Sequence, residues 1–345
     1  MVPNSLILKV TSKCNFACTF CSSPSLSEDF NDELSLDRVY QYLKRYPQTT
    51  TIIINGGDPL CTEPEWYWEL IKHLEYNNYP ANISMTTNLW DYWLRPSKWL
   101  ELFKHSRVSI ATSFQYGNKR KIHRNRVFEE KDFIAISDKF LADIGYRPDF
   151  LAVIDEDNIH RVVDTVRLAK YLDVEAKVNY ANASGRQGKP FPLSLIYEKY
   201  IEIAREGLAQ WEFNTKQMLN RLNAIPTSCP LLSKCDEHIR VLHPDGKYFT
   251  CGAFADDLEY EVDFNSEVLE KGKVQTPLQK DPNLRALKSE CFTCPMFQIC
   301  NGCSKHVKDL KRSGQVESHC VKMKSIANDI TQLTSEFDGQ FSTRD

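Results

Sequence analysis

Cys14-Asn-Phe-Ala-Cys18-Thr-Phe-Cys21 decides how this chain is read. Three cysteines, separated by three and then two residues, can present thiolates to three irons of one cubane cluster, and thiolate is the usual protein ligand of iron–sulfur centres. Three ligands leave the fourth iron open. An open metal position is where catalytic sites bind a substrate or cofactor. The alternatives at this spacing are a zinc knuckle or unrelated core thiols. Just upstream, Leu6-Ile-Leu-Lys-Val10 is a short apolar run that predicts a strand leading into the cysteine loop.

The rest of the composition agrees with a soluble metalloprotein. The chain has 345 residues, enough for two domains or one large barrel with an appendage. Its 43 Lys and Arg nearly balance 46 Asp and Glu. That balance argues against a general nucleic-acid or membrane binder. No apolar run approaches the ~18–20 residues that cross a bilayer, and the Met-Val-Pro-Asn-Ser start has no signal-peptide pattern. Twelve cysteines without an export signal read as metal ligands before disulfides, which implies a cytoplasmic, oxygen-sensitive protein.

Beyond the cysteine loop, strand and helix patterns alternate. Predicted strands cover Thr51–Asn55, Asn82–Thr87, Arg107–Phe114, Asp149–Ile154 and Glu175–Tyr180. Predicted helices cover Leu36–Tyr46, Glu65–Tyr76, Ser97–Lys104, Lys131–Asp143 and Asn158–Leu172. Six such units imply a parallel sheet curled into a partial barrel, with the loops after the strands gathered at one mouth. Gly56-Gly-Asp-Pro59 follows the second strand there; paired glycines let backbone approach a ligand closely and proline ends the strand. Thr86, Thr87 and Asn88 end the third strand, and Ser113 and Gln115 lie near the end of the fourth. The loop after it is basic, with Lys119, Arg120, Lys121 and Arg124; it reads either as a solvated face or as a clamp for an anionic substrate. Cys61 fits no cluster pattern and reads as a buried, idle thiol. From Pro190 two helices, Ser194–Trp211 and Thr215–Leu222, lead away from the barrel.

A second cysteine field follows: Cys229-x5-Cys235-x15-Cys251, then Cys291-x2-Cys294-x5-Cys300-x2-Cys303, then Cys320. The Asp245-Gly246 turn before Cys251 predicts a hairpin. Taken alone, the Cys291–Cys303 run would also suit a zinc ribbon.

Together these features resemble the radical S-adenosylmethionine (SAM) superfamily, whose Cys-x3-Cys-x2-Cys signature carries an aromatic residue where Phe20 stands, and its SPASM branch. The resemblance implies a partial (β/α)6 barrel followed by a small cysteine-rich α+β domain. The expected divisions are residues 1–190 for the barrel, 191–226 for a helical linker, 227–325 for the SPASM domain and 326–345 for a partly frayed C-terminal tail. It implies SAM and three [4Fe-4S] clusters. Cys14, Cys18 and Cys21 would hold the radical SAM cluster. Cys229, Cys235, Cys251 and Cys303 would hold one auxiliary cluster, and Cys291, Cys294, Cys300 and Cys320 the other. SAM would lie on Gly56, Gly57, Asp58, Pro59, Thr87, Asn88, Ser113, Gln115 and Arg186. The Cys300-x2-Cys303 spacing departs from the family's x3. The missing residue moves one thiolate by up to ~3.5 Å, a shift that Gly302 could absorb.

Reductive SAM cleavage, hydrogen abstraction and oxidation or cross-linking of a ribosomal peptide or protein are the activity this resemblance implies. The alternative is a dehydrogenase or epimerase of a small polar or phosphorylated metabolite such as a sugar, aminocyclitol or nucleotide. An electron donor of flavodoxin or ferredoxin type is expected. No separate leader-binding domain precedes the first strand, so another protein would bring a leader peptide. Relatives that mature sulfatases carry an aspartate directly after the hairpin cysteine. Gly252 stands there instead, which argues against that substrate, and Asp256 and Asp257 read as surface charge.

Overall fold

The computed structural model describes residues 3–22, 33–122, 126–223, 238–264, 277–300 and 303–336. Arg124, Cys229 and Cys235 lie outside the described residues. The predicted alternation is present: β1 (Ser5–Thr11), α1 (Leu36–Arg45), β2 (Thr51–Gly56), α2 (Pro64–Tyr76), β3 (Asn82–Thr86), α3 (Trp90–Leu94) and α4 (Pro96–Phe103). Then come β4 (Val108–Ser113), a short hairpin of β5 (Lys121–Ile122) and β6 (Arg126–Val127), α5 (Glu130–Ile144), β7 (Phe150–Ile154), α6 (Val162–Leu172) and β8 (Ala176–Tyr180). The strands form because these β-branched and apolar runs bury one face completely: Leu6, Leu8, Val10, Ile52 and Ile54 share a face and are fully buried, while Ile7 and Ile53 on the other face are half-buried.

The sheet is larger than six strands. Its order is β10-β9-β1-β2-β3-β4-β7-β8, with β9 at Ile239–Leu242 and β10 at Tyr248–Phe249. β9 runs parallel to β1, pairing Leu6 with Arg240 and Leu8 with Leu242. β10 folds back antiparallel to it, closing the hairpin expected from Asp245-Gly246. The cysteine-rich region thus donates a strand to the barrel sheet.

At the opposite edge the two helices expected to lead away fold back instead. α7 (Leu193–Arg205) and α8 (Phe213–Leu222) cover β8. An edge strand carries unpaired backbone groups, and natural proteins cover them. Here the Val178 N–H donates to buried Glu212 at 2.9 Å, and the Val178 carbonyl accepts from Tyr200 Oη at 2.8 Å and Asn214 Nδ2 at 2.7 Å. Glu212 also caps α8 through the N–H groups of Asn214 and Thr215.

The C-terminal region is helical, with helices at Pro282–Phe292, Ser304–Arg312, Val316–Ser325 and Ala327–Glu336. It docks on α7 and α8: Tyr197 Oη and Arg221 Nη1 both donate to the Ile299 carbonyl. The first part of the tail, Ala327–Glu336, forms the last of these helices, with Ile330 and Leu333 wholly buried and Arg205 paired with Asp329; residues 337–345 lie outside the described residues. Among the described residues no helix is long and apolar enough to cross a membrane.

Candidate active site

The loops after the parallel strands enclose a cavity of about 380 Å³. Cys14, Cys18, Cys21, Gly56–Asp58, Thr86–Asn88, Ser113 and Arg120 all line it, together with Leu151, Val153 and Asn179. The sequence-predicted cysteines and strand-end residues therefore meet at one place.

The glycine pair has a more specific task than closeness to a ligand. A Cβ on Gly56 would lie 2.5 Å from the Thr11 carbonyl oxygen, and one on Gly57 would lie 2.0 Å from that of Lys13. Gly57 and Asp58 donate their N–H groups to the same two carbonyls, at 2.7 and 2.8 Å. What the glycines approach is the backbone that enters the cysteine loop. A second clamp acts on the far end of that loop. A Cβ on Gly185, whose φ is +58°, would lie 2.6 Å from the Cys21 carbonyl oxygen, and the Arg186 N–H donates to that oxygen. The Arg186 guanidinium donates to the Cys18 carbonyl, and Arg186 is not among the residues that line the cavity.

Asp58 is fully buried, yet its carboxylate is well supplied with donors. Leu60 N–H and Thr87 Oγ1 donate to Oδ1 at 3.0 and 2.9 Å, and Asn88 N–H to Oδ2 at 2.8 Å. Burial raises its pKa and these bonds oppose the rise. Most of its lone-pair sites are thus committed to tying β2 to the end of β3. Asn88 reaches on to Asn15 in the cysteine loop at 2.6 Å. Burial, then the Asp58 carboxylate, push the Cys14 thiol well above its ordinary value. A metal ion bound there would supply the positive charge that favours the Cys14 thiolate. The same two causes push Cys61 up to about 12, in keeping with an idle thiol.

The basic loop is neither a solvated face nor a simple clamp. Its backbone carries the cysteine loop: Ala17 N–H donates to the Lys121 carbonyl at 2.8 Å and Thr19 N–H to that of Lys119 at 3.1 Å. Lys119 is held by Asp155 and Asp157, each at 2.7 Å. Among the described basic residues of this loop, Arg120 alone lines the cavity, 5% exposed. Its guanidinium donates to Gln115 Oε1 at 3.1 and 2.8 Å and to Ser113 Oγ at 2.9 Å, over the Phe20 ring. A guanidinium has five N–H donors, so two remain for an anion. Gln115 thereby acts on Arg120 and is not among the lining residues.

Sequence reasoning missed one feature. Lys9 of β1 and Asp256 form a buried ion pair in the cavity wall, and Ser22 Oγ donates to Asp256 at 2.8 Å. Asp256 ends the short helix Gly252–Asp256 that starts after Cys251. Its neighbour Asp257 pairs at 2.9 Å with Lys305, which is 1% exposed. Neither acid is surface charge. A Lys within an otherwise apolar strand was the available signal, since a buried ammonium demands a partner.

The second cysteine field also converges. Cys291, Cys294, Cys300 and Cys320 line one apolar space of about 120 Å³ with Met296, Phe297 and His319. Cys303 lies with Cys300 beside Tyr180, Tyr197 and Tyr200. Among the described residues no three His, Cys, Asp or Glu close in on a single metal ion. A cubane needs no such shell, since each thiolate binds a different iron.

Comparison with known proteins agrees with this architecture. Residues 8–169 match the model of the Radical SAM superfamily. A curated Aquifex aeolicus protein named for L-lysine 2,3-aminomutase is 33% identical over 60 residues, a stretch spanning 17% of this chain and 16% of that protein. The cysteine-type anaerobic sulfatase-maturating enzyme of Clostridium perfringens is 22% identical, over 92% of this chain and 93% of its own. Among solved structures, anSMEcpe with bound AdoMet superposes with a TM-score of 0.65 at 16% identity, covering 96% of this chain and 97% of that one. Streptococcus suis SuiB bound to precursor peptide SuiA gives 0.58 at 16% identity, covering 87% and 71%. The match places a radical SAM domain at residues 8–169, and the chain shares its fold with anSMEcpe and SuiB through the cysteine-rich region that follows.

Proposed function

We propose that this chain is a radical SAM maturase that oxidises or cross-links a peptide. The convergence of Cys14, Cys18, Cys21, Gly56–Asp58, Asn88 and Arg120 on one cavity carries the reading. Three thiolates and a guanidinium with spare donors in one cavity suit a cluster with one open iron and a bound amino-acid carboxylate. Bound there, the cluster and SAM would supply a 5′-deoxyadenosyl radical able to take a hydrogen atom from the substrate.

The chain's own residues supply orientation and exclusion of water. Arg120, fixed by Gln115 and Ser113, would hold the SAM carboxylate. Asp58 would keep Thr87 and Asn88 at the cavity edge, with one lone pair left for an ammonium. Leu151 and Val153 would give the apolar wall for a nucleobase. Lys9, Ser22, Asn179 and Asp256 are then left to face the substrate, a polar set suited to a peptide. Two relatives by fold were solved with peptides, anSMEcpe with Cp18Cys and SuiB with SuiA, which favours a peptide over a small metabolite. Gly252 brings no carboxylate to the wall, which sets the substrate apart from that of the sulfatase maturases.

We further read the four-cysteine space as an auxiliary [4Fe-4S] site. Cys251 and Cys303, together with Cys229 and Cys235, would hold another. A flavodoxin- or ferredoxin-type protein would supply the first electron. The test is direct: the iron–sulfur-loaded chain, reduced anaerobically with SAM, should release 5′-deoxyadenosine. Offered short Cys-, Ser- and Tyr-containing peptides, it should remove two hydrogen atoms from one of them, read by mass. Release of 5′-deoxyadenosine with every peptide unchanged, and a sugar or aminocyclitol oxidised instead, would favour the metabolite reading.

A further inference from the structure

Tyr180, at the end of β8, lines the reaction cavity. The His306 ring stands edge-on to it, with ring centres 5.2 Å apart. His319 stands edge-on to His306 at the same separation. His319 in turn lines the space formed by Cys291, Cys294, Cys300 and Cys320. Three rings thus bridge the cavity and the four-cysteine space.

Both imidazoles are more than nine-tenths buried. Nε2 of His306 and Nδ1 of His319 are shielded from solvent and have no hydrogen-bond partner among the described residues. A neutral imidazole carries one N–H donor and one acceptor. Buried polar groups are almost always paired, and an unpaired one calls for a reason. Stability does not provide it, since a phenyl ring would fill either place without losing hydration. The surroundings of His319 suggest the absent acceptor. It precedes Cys320 on the helix Val316–Ser325 and faces a space lined by four cysteines. Thiolate and sulfide sulfurs accept N–H hydrogen bonds, and such bonds tune cluster potentials.

We propose that His319, held in place by His306, donates its ring N–H to an iron–sulfur cluster in the four-cysteine space and raises that cluster's reduction potential. This rests on reading the space as an auxiliary cluster site. Reduction adds negative charge to a cluster, and a donor aimed at its sulfurs stabilises that charge. Raising this potential makes the site a better electron acceptor on the side that Tyr180 links to the cavity. Both histidines are positioning residues, since neither touches the cavity itself.

The test uses the full chain, loaded with iron and sulfide anaerobically, as wild type, His319→Phe and His319→Asn. Iron content is measured first, then each cluster's midpoint by EPR-monitored redox titration. We expect full iron in all three. One couple should move to a more negative potential in His319→Phe and return part of the way in His319→Asn, which keeps an N–H donor. Wild-type potentials in a fully loaded His319→Phe chain would overturn the proposal. Should His319→Phe lose iron, His306→Ala carries the test, because His306 does not line the space and its removal takes away the ring that holds His319. A shift of the same couple there supports the pair, and an unmoved couple overturns it. Iron for only one cluster in the wild-type chain would instead overturn the auxiliary-cluster reading, separately from any variant.

Discussion

Asp256→Asn should be among the most damaging single substitutions in the cavity wall. It leaves the Lys9 ammonium buried and unpaired inside the barrel. Breaking a buried pair in this way costs about 3–5 kcal/mol, whereas replacing both partners with apolar groups is often neutral. We therefore expect a clear loss of melting temperature in Asp256→Asn. The Lys9→Met/Asp256→Leu double variant should recover most of it. A double variant that turns over substrate as well as wild type would show that the pair is purely structural. Gly57→Ala tests the cysteine loop in the same spirit. Its Cβ would meet the Lys13 carbonyl, which is backbone and cannot swing away. Loss of iron from the loop is the expected result, and wild-type iron content would contradict it. At this scale the motif residues were legible but their partners were not. Gly56-Gly-Asp-Pro59 announced a close approach without saying that the approached atoms belong to Thr11 and Lys13. Lys119 looked available because Asp155 and Asp157, which occupy it, lie on a different loop.

At the scale of elements, the covering of β8 depends on one carboxylate. Glu212→Ala would strip the Val178 N–H of its partner and uncap α8. An unsatisfied buried donor costs ~1–3 kcal/mol and a lost N-cap about 1 kcal/mol. A destabilisation of roughly 2–4 kcal/mol in denaturant unfolding follows; less than 1 kcal/mol would mean that other groups cover the edge. The last helix offers a second check. Truncation after Ile326 removes Ile330 and Leu333, each worth about 1.5–3 kcal/mol when fully buried. A frayed tail would cost nothing. Strands and helices of the barrel were readable because each apolar run or stripe repeats a local period. The ends of the chain were not. Ala327–Glu336 shows only two deeply buried anchors in a Ser-, Thr- and Asp-rich stretch. α7 and α8 gave no sequence sign of which strand they cover.

For the molecule as a whole, the shared sheet matters most. β9 comes from the cysteine-rich region and pairs with β1, the strand that leads into the cysteine loop. A boundary at residue 226 cuts through that sheet. The six barrel units were legible from alternation and the later hairpin from its Asp245-Gly246 turn, but that this hairpin joins β1, some 230 residues earlier, leaves no local trace. The central claim is that Cys14, Cys18 and Cys21 hold a cluster whose open iron serves SAM chemistry. The most direct measurement compares 5′-deoxyadenosine release by the anaerobically loaded, reduced wild-type chain and by its Cys14→Ala/Cys18→Ala/Cys21→Ala variant. We predict release from the wild type, none from the variant, and retention by the variant of about eight of about twelve irons. Release from the variant at the wild-type rate would contradict the claim.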